Sequence, residues 1–243
     1  MKRINQRENT IEQPRVVEQQ YVAQLKNAVG QATDILRSGG VLLYPTDTVW
    51  GLGCDAANSR AVNKIIQLKG RSQSQSFIVL VHSVEQIERY ITQVPEIAYA
   101  LIEASNAPLT IVYPGAHTST QQEEGFASKT VVQETVASKS VASKTVVPDG
   151  LAPEVIAPDG TVAIRVVRHL FCSALLQKFG GAIVSTSANF TGCPAPATYS
   201  TIDPELIGLV DYCVDPLFEA SATGKPSSII KLEVNGEVKI LRA

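Results

Sequence analysis

Histidine, methionine, tryptophan and cysteine are all scarce in this 243-residue chain, at three, one, one and four residues respectively. Each shortage excludes something. His82, His117 and His169 stand at no metal-ligand spacing, so a structural zinc site is not expected, and a histidine-based nucleophilic triad has little to draw on. Cys54, Cys172, Cys193 and Cys213 are scattered with no Cys-x-x-Cys pair, which predicts buried free thiols. No apolar run approaches the roughly 18 residues that cross a bilayer. The charged start, Met1-Lys2-Arg3-Ile4-Asn5, is not followed by the apolar stretch of a signal peptide. The expectation is therefore a soluble, cytoplasmic chain that touches no membrane. The net charge of −2 argues against nucleic-acid binding driven by overall charge, while leaving room for a local basic cleft. Gly-x-Gly-x-x-Gly after a strand and Gly-x-x-x-x-Gly-Lys-Ser/Thr are both absent, so neither a Rossmann cofactor nor a P-loop is signalled.

Apolar residues make up 44% of the chain, ample for a core. Residues 1–20 are polar, charged and aperiodic and read as a flexible N-terminal extension to a single domain at 21–243. Val22, Leu25, Val29, Ala32 and Leu36 recur at gaps of three and four, one face of an amphipathic helix. Gly39-Gly40 ends that helix, and residues 41–44 follow as a continuous apolar strand running into Pro45-Thr46-Asp47-Thr48. The same arrangement recurs later. Residues 174–179 lead to Gly180-Gly181, then to Ala182-Ile183-Val184 and Ser185-Thr186-Ser187-Ala188-Asn189. Ligands of open α/β sheets bind beyond the carboxyl ends of strands, so Thr46, Thr48, Ser185, Ser187 and Asn189 are candidates for one shared site. The competing reading is that these are turn and N-cap residues serving the backbone.

Further helices are expected over 61–68, 84–91 and 95–104, and strands over 77–81, 109–113, 162–167 and 211–214. The runs at 228–232 and 237–241 flank Asn235-Gly236, a hairpin signal. Strands alternating with helices, plus a hairpin, predict an α/β domain built on an open, twisted, mixed sheet with flanking helices. Residues 117–158 break the pattern. Ala127-Ser128-Lys129-Thr130-Val131-Val132 returns as Ala137-Ser138-Lys139-Ser140-Val141 and as Ala142-Ser143-Lys144-Thr145-Val146-Val147. Such copies are too short for a solenoid, whose repeats run about 20 residues or more, and the segment reads as a repetitive, low-complexity insert.

Lys69-Gly70-Arg71 lies in a polar loop, where two cations flanking one glycine can converge on a polyanion. Exposed Lys-x-Arg pairs are common, so the pair alone is weak. Its surroundings are more specific. Residues 44–53, Tyr-Pro-Thr-Asp-Thr-Val-Trp-Gly-Leu-Gly, stand ahead of Lys69-Gly70-Arg71, and Ser185-Thr186-Ser187-Ala188-Asn189-Phe190-Thr191-Gly192 follows. Together these resemble the signatures of the YrdC/Sua5 family of threonylcarbamoyl-AMP synthases, over about Val22 to Arg242.

The resemblance implies a YrdC/RibB-like sheet with a concave, positively lined cleft. It also implies a reaction in which L-threonine, bicarbonate and ATP give threonylcarbamoyl-AMP and pyrophosphate, with Mg²⁺ on the phosphates. The product would pass to the machinery that modifies adenosine 37 of certain tRNAs. Lys69, Arg71, Ser187 and Asn189 match the family's Lys-x-Arg and Ser-x-Asn pairs, assigned to phosphate and carbamate oxygens. Thr46, Ser185 and Ser227 match positions near the amino acid, and Thr110 and Arg242 match positions that contact ATP. Arg165 is either a holder of the substrate carboxylate or half of an ordinary ion pair. Trp50, where relatives often carry Tyr or Phe, is core or a wall of the site. Ser72 replaces a usual proline, Ser105-Asn106-Ala107-Pro108 replaces a common Trp-Pro-Gly-Pro, and the insert is longer than is typical. Because the chain stops just after Arg242, the short, single-domain form is implied. A double-stranded RNA or tRNA-binding module on the same fold is the competing function, and weak RNA contact at the cleft is compatible with either.

Overall fold

The computed structural model describes residues 14–70, 77–118, 150–219, 222–233 and 235–243. Helix α1 (Pro14–Arg37) starts inside the expected extension, which corrects that boundary. Proline suits a first helical turn, where its missing N–H is not needed; residues 1–13 lie outside the described residues. Ala28, Val29, Ala32 and Leu36 form the buried stripe of α1, whereas Val22 is exposed and Tyr21 packs edge-on against Phe218 instead. The helix ends where Gly39 adopts a φ of 74° and the Gly40 N–H reaches the Ile35 carbonyl at 2.9 Å.

The remaining elements are β1 (Leu42–Tyr44), β2 (Gly51–Asp55), α2 (Ser59–Lys69), β3 (Ile78–Val81), α3 (Glu96–Ala104), β4 (Leu109–Tyr113), β5 (Val162–Val166), α4 (Leu170–Phe179), β6 (Ile183–Ser187), α5 (Pro204–Gly208), β7 (Tyr212–Cys213), β8 (Ser228–Leu232) and β9 (Val238–Arg242). Among the described residues the strands form one mixed sheet in the order β7-β1-β2-β6-β3-β5-β4-β8-β9. The hairpin β8–β9 pairs antiparallel as expected. Residues 84–91 are not an α-helix but enclose a short 3₁₀ turn, Glu85–Arg89.

Strand β2 was not legible, because Gly51 and Gly53 depress strand propensity. The reason for the glycines is visible in space. A Cβ on Gly53 would stand 2.6 Å from the Tyr44 ring and 2.8 Å from the Val184 carbonyl. The insert is narrower than 117–158. The Leu151 N–H donates to the His117 carbonyl at 2.9 Å, Pro153–Val155 forms a 3₁₀ turn, and Leu151, Ala152 and Val155 are buried in the core. The repeated segments themselves fall within 119–149, outside the described residues.

Successive strand residues point to opposite faces, and here the two faces carry separate cores. Leu43, Leu52, Val79, Ile164, Val184 and Ile230 pack with Val62 and Ile65 of α2 and Ala98 of α3. On the other face Leu42, Tyr44, Leu80 and Ile183 sit with Leu36 of α1 and Phe171 and Leu175 of α4. Helices α1 and α4 cover only part of that second face. Further along the same strands Ile78, Ser185 and Ser187 line an open cleft.

Candidate functional site

The cleft has a volume of about 360 Å³, within the usual range of small-molecule sites. Its polar wall comes from the turn after β1 (Thr46, Thr48), from β5 (Arg165), from β6 (Ser185, Ser187) and from the β8–β9 side (Ser227, Arg242). The two helix–Gly-Gly–strand units therefore do finish at one cavity. Strand register explains how: β2 lies between β1 and β6, with Gly51 opposite Ser187 and Gly53 opposite Ser185. Glycine at these positions lets the chains close up without side chains filling the cleft floor. A Cβ on Gly51 would lie 3.2 Å from the Ser185 hydroxyl.

Thr46 is largely committed to its own turn. Its hydroxyl donates to the Val49 carbonyl at 2.7 Å and accepts the Thr48 N–H at 3.1 Å. With that donor used, the 2.9 Å contact between the two threonine hydroxyls is one in which Thr48 donates. A hydroxyl has one proton and two lone pairs, so Thr46 is saturated and Thr48 keeps lone pairs for a ligand. The Thr46 hydroxyl thus serves its own turn in this state, while the Thr48 hydroxyl keeps acceptor capacity toward the cleft.

Lys69 is 2% exposed, at the C-terminal end of α2, which Gly70 terminates in the left-handed region. Its ammonium donates to the Ser187 carbonyl at 2.6 Å, the Asn189 carbonyl at 2.5 Å and the Asn189 side-chain oxygen at 3.0 Å. The Ser187 hydroxyl donates to that same Asn189 oxygen at 2.5 Å, and the Thr191 hydroxyl donates to the Lys69 carbonyl at 2.5 Å. Thus Lys69, Ser187 and Asn189 form one knot, in which Ser187 lines the cleft and Lys69 and Asn189 brace it. Arg71 lies outside the described residues.

Arg165 and Asp47 are both buried, with Nη2 3.2 Å from Oδ1. Burial of a charge is tolerated when it is paired, so the ion-pair alternative for Arg165 is present, and its side chain lines the cleft as well. Arg242 reaches the same wall, its Nε donating to the Ser227 carbonyl at 2.9 Å. Burial first, then the like charge of Arg165, lowers the Arg242 pKa from its ordinary value. Asp47 neutralises one of the two arginines, leaving the wall with a net positive charge that calls for an anion.

Thr110 and Ser227 share a hydrogen bond at 2.7 Å. Thr110 is fully buried and does not line the cleft, whereas Ser227 does; Thr110 reaches the cavity only through its partner. Trp50 is 1% exposed, donates Nε1–H to Glu219 at 2.8 Å and packs on Tyr199, so it is core and also edges the cleft. Tyr44 lies under the floor, its phenol pKa raised mainly by burial. Asp47 had no role in the sequence reading. The signal was present as a lone carboxylate between two threonines, but its partner is far away in the chain. Of the thiols, Cys54 and Cys172 are buried as expected, whereas Cys193 is exposed and Cys213 half-buried.

No helix among the described residues is long and apolar enough to cross a membrane, and no group of His, Cys, Asp or Glu among them is arranged to hold a metal ion. Among the described residues the cleft lining carries hydroxyls and arginines without a carboxylate. That donor set fits a divalent cation carried on the ligand's own phosphates, with hydroxyls facing its waters, rather than a protein cage.

The family model Sua5_yciO_yrdC, described as "Telomere recombination", matches residues 34–132 and 132–243. A protein of Saccharophagus degradans named threonylcarbamoyl-AMP synthase is 36% identical over 165 residues, covering 68% of this chain and 70% of its own length. A doubly substituted variant of P. abyssi Sua5 superposes with a TM-score of 0.66 at 26% identity, over 88% of this chain and 55% of that one. The complex of P. abyssi Sua5 with L-threonine gives 0.63 at 23% identity, over 84% and 50%. The chain thus spans about half the length of these Sua5 structures.

Proposed function

The chain belongs to the Sua5/YciO/YrdC family, and on that premise we infer that it is a threonylcarbamoyl-AMP synthase, an ATP-using nucleotidyltransferase. The observation that carries the reading is the cleft itself, where Arg165 and Arg242 line one cavity together with Thr48, Ser185, Ser187 and Ser227. Such a wall suits a substrate that brings its own negative charge and many acceptor oxygens.

The reaction asks for little covalent help from the protein. The threonine amine adds to the carbon of bicarbonate to give a carbamate, an N–C bond forming as a C–O bond breaks, and the amine's proton leaves with the released hydroxide as water. A carbamate oxygen attacks the α-phosphorus of ATP, the new P–O bond forms, and the bond to pyrophosphate breaks. The obstacle is repulsion between anions and loss of orientational freedom, both relieved by positioned donors and cations. Arg165 is assigned to the amino-acid carboxylate, Arg242 and Arg71 to ATP phosphates, and Ser187, braced by Lys69 and Asn189, to the reacting oxygens. Mg²⁺ bound to the phosphates would neutralise part of their charge, with Thr48 and Ser185 facing its waters. The product would leave for the tRNA threonylcarbamoyl-transfer machinery, and the reading places this step in the cytoplasm.

The test is pyrophosphate release from ATP with threonine and bicarbonate varied separately. The expected result is release that needs both, and that falls on Arg71→Ala and on Ser187→Ala by about 10²-fold, the usual cost of losing one group that stabilises developing charge. Release without threonine, or variants indistinguishable from the parent, would overturn the reading.

A further inference from the structure

Asp47 is held more firmly than an incidental ion-pair partner needs to be. One carboxylate oxygen faces Arg165, and the other accepts the Arg168 N–H at 3.0 Å. The Asp47 carbonyl accepts the Thr223 N–H at 3.0 Å, and the Thr48 carbonyl accepts the Gly224 N–H at 2.8 Å. Just upstream, the Cys172 thiol donates to the Pro45 carbonyl at 3.1 Å. Bonds from the segment after β5, from α4 and from the loop before β8 thus converge on one turn. Arg165, by contrast, is not satisfied. It is 3% exposed, yet its Nε has no hydrogen-bond partner among the described residues, and the facing Asp47 oxygen is not aligned as an acceptor. Buried ion pairs that serve stability have their remaining donors filled. An arginine in a cleft wall with a donor left unpaired, drawn toward a rigidly held carboxylate 3.2 Å away, is arranged to receive a second anion.

We propose that Asp47 is a positioning residue for the amino-acid end of the cleft, aiming the Arg165 guanidinium so that its unpaired Nε edge takes the substrate's carboxylate. The proposal rests on the synthase reading above and adds to it a residue that touches no substrate. Asp47 also cancels one positive charge, so the two arginines are not equivalent: Arg165 is oriented and partly neutralised, while Arg242 keeps its full charge for a phosphate.

The test is a cycle of Asp47→Asn, Arg165→Gln and the double variant, with KM for threonine and for ATP measured separately in each. Asp47→Asn keeps an acceptor for the Arg168 N–H, removes the charge, and turns an amide NH2 in place of an acceptor oxygen toward Arg165. It is expected to raise KM for threonine about tenfold while ATP KM stays within about twofold, the pattern of one lost anchoring contact. Because Asp47 acts through Arg165, the double variant should match Arg165→Gln alone. A KM for ATP rising in parallel with that for threonine, or a threonine KM left unchanged, would overturn the proposal. If Asp47→Asn does not fold, with a buried arginine left unpaired, the uncharged double variant decides: a threonine KM higher than that of Arg165→Gln sinks the idea. A parent protein that releases no pyrophosphate would sink the synthase reading first. Threonine binding, followed by the fluorescence of Trp50, the chain's one tryptophan, would then judge Asp47, and no binding by the parent would remove both.

Discussion

Lys69 and Asn189 are joined by two hydrogen bonds across 120 positions of sequence, one to the backbone carbonyl and one to the side-chain oxygen. The ammonium's third bond, to the Ser187 carbonyl, makes Lys69 the brace of the turn that carries the cleft-lining serine. Lys69→Ala would remove the charged donor from all three acceptors, although the Asn189 side-chain oxygen keeps the Ser187 hydroxyl and the Ser187 carbonyl keeps the Asn189 N–H. The expected outcome is a loss of roughly 1.5–3 kcal/mol in denaturant unfolding, the usual worth of hydrogen bonds to a charged group in a partly buried setting. Pyrophosphate release should fall about 10²-fold. Asn189→Ala should produce a similar loss of rate, and the double variant should be little worse than either single, because the residues act as a unit. Multiplicative losses would show that the two act separately.

The Thr110–Ser227 pair supplies a second check. These hydroxyls bond to each other in a buried setting between β4 and β8. Thr110→Val keeps the shape and leaves the Ser227 hydroxyl short of a partner, at an expected cost of about 1–2 kcal/mol. Removing both hydroxyls, in Thr110→Val with Ser227→Ala, should recover much of that loss, because no buried hydroxyl is then stranded and Arg242, which gives up only a 3.5 Å contact, keeps its bond to the Ser227 carbonyl. If the double variant is less stable than the single, the pair contributes through packing instead.

Much of this site could be read from the sequence because its parts are local. Each Gly-Gly junction sits next to the strand it introduces, and Thr46, Thr48, Ser185 and Ser187 lie within a few positions of those strand ends. The hairpin and α2 were legible for the same reason. What escaped depends on contacts between distant segments. Asp47 gains its meaning only when the fold brings it to Arg165, and β2 is a strand because it pairs with β1 and β6, with glycine at 53 where a Cβ would strike Tyr44 and Val184. The buried ends of the insert illustrate the converse. Leu151 and Ala152 stand beside a repetitive segment, yet the Ala152 N–H donates to the Ala56 carbonyl at 2.8 Å, a partner that composition could not reveal.

Asp55, at the end of β2, gives a pH-dependent prediction. Burial raises its carboxyl pKa above the ordinary value, and the hydrogen bond from the Ala57 N–H opposes this without cancelling it. The folded state therefore binds this proton more tightly than the unfolded state. Its contribution to stability is fully present below the unfolded value of about 3.9 and is lost as pH rises through the higher folded value. Asp55→Asn keeps an oxygen for the Ala57 N–H and abolishes the titration. Thermal unfolding from about pH 3 to about pH 8 should show the variant gaining on its parent as pH climbs through that window. The advantage should then level off, and it should be absent at the acid end. A constant offset across the whole range would mean that the substitution acts through packing. An advantage confined to acid would mean that the folded state favours the ionised carboxylate.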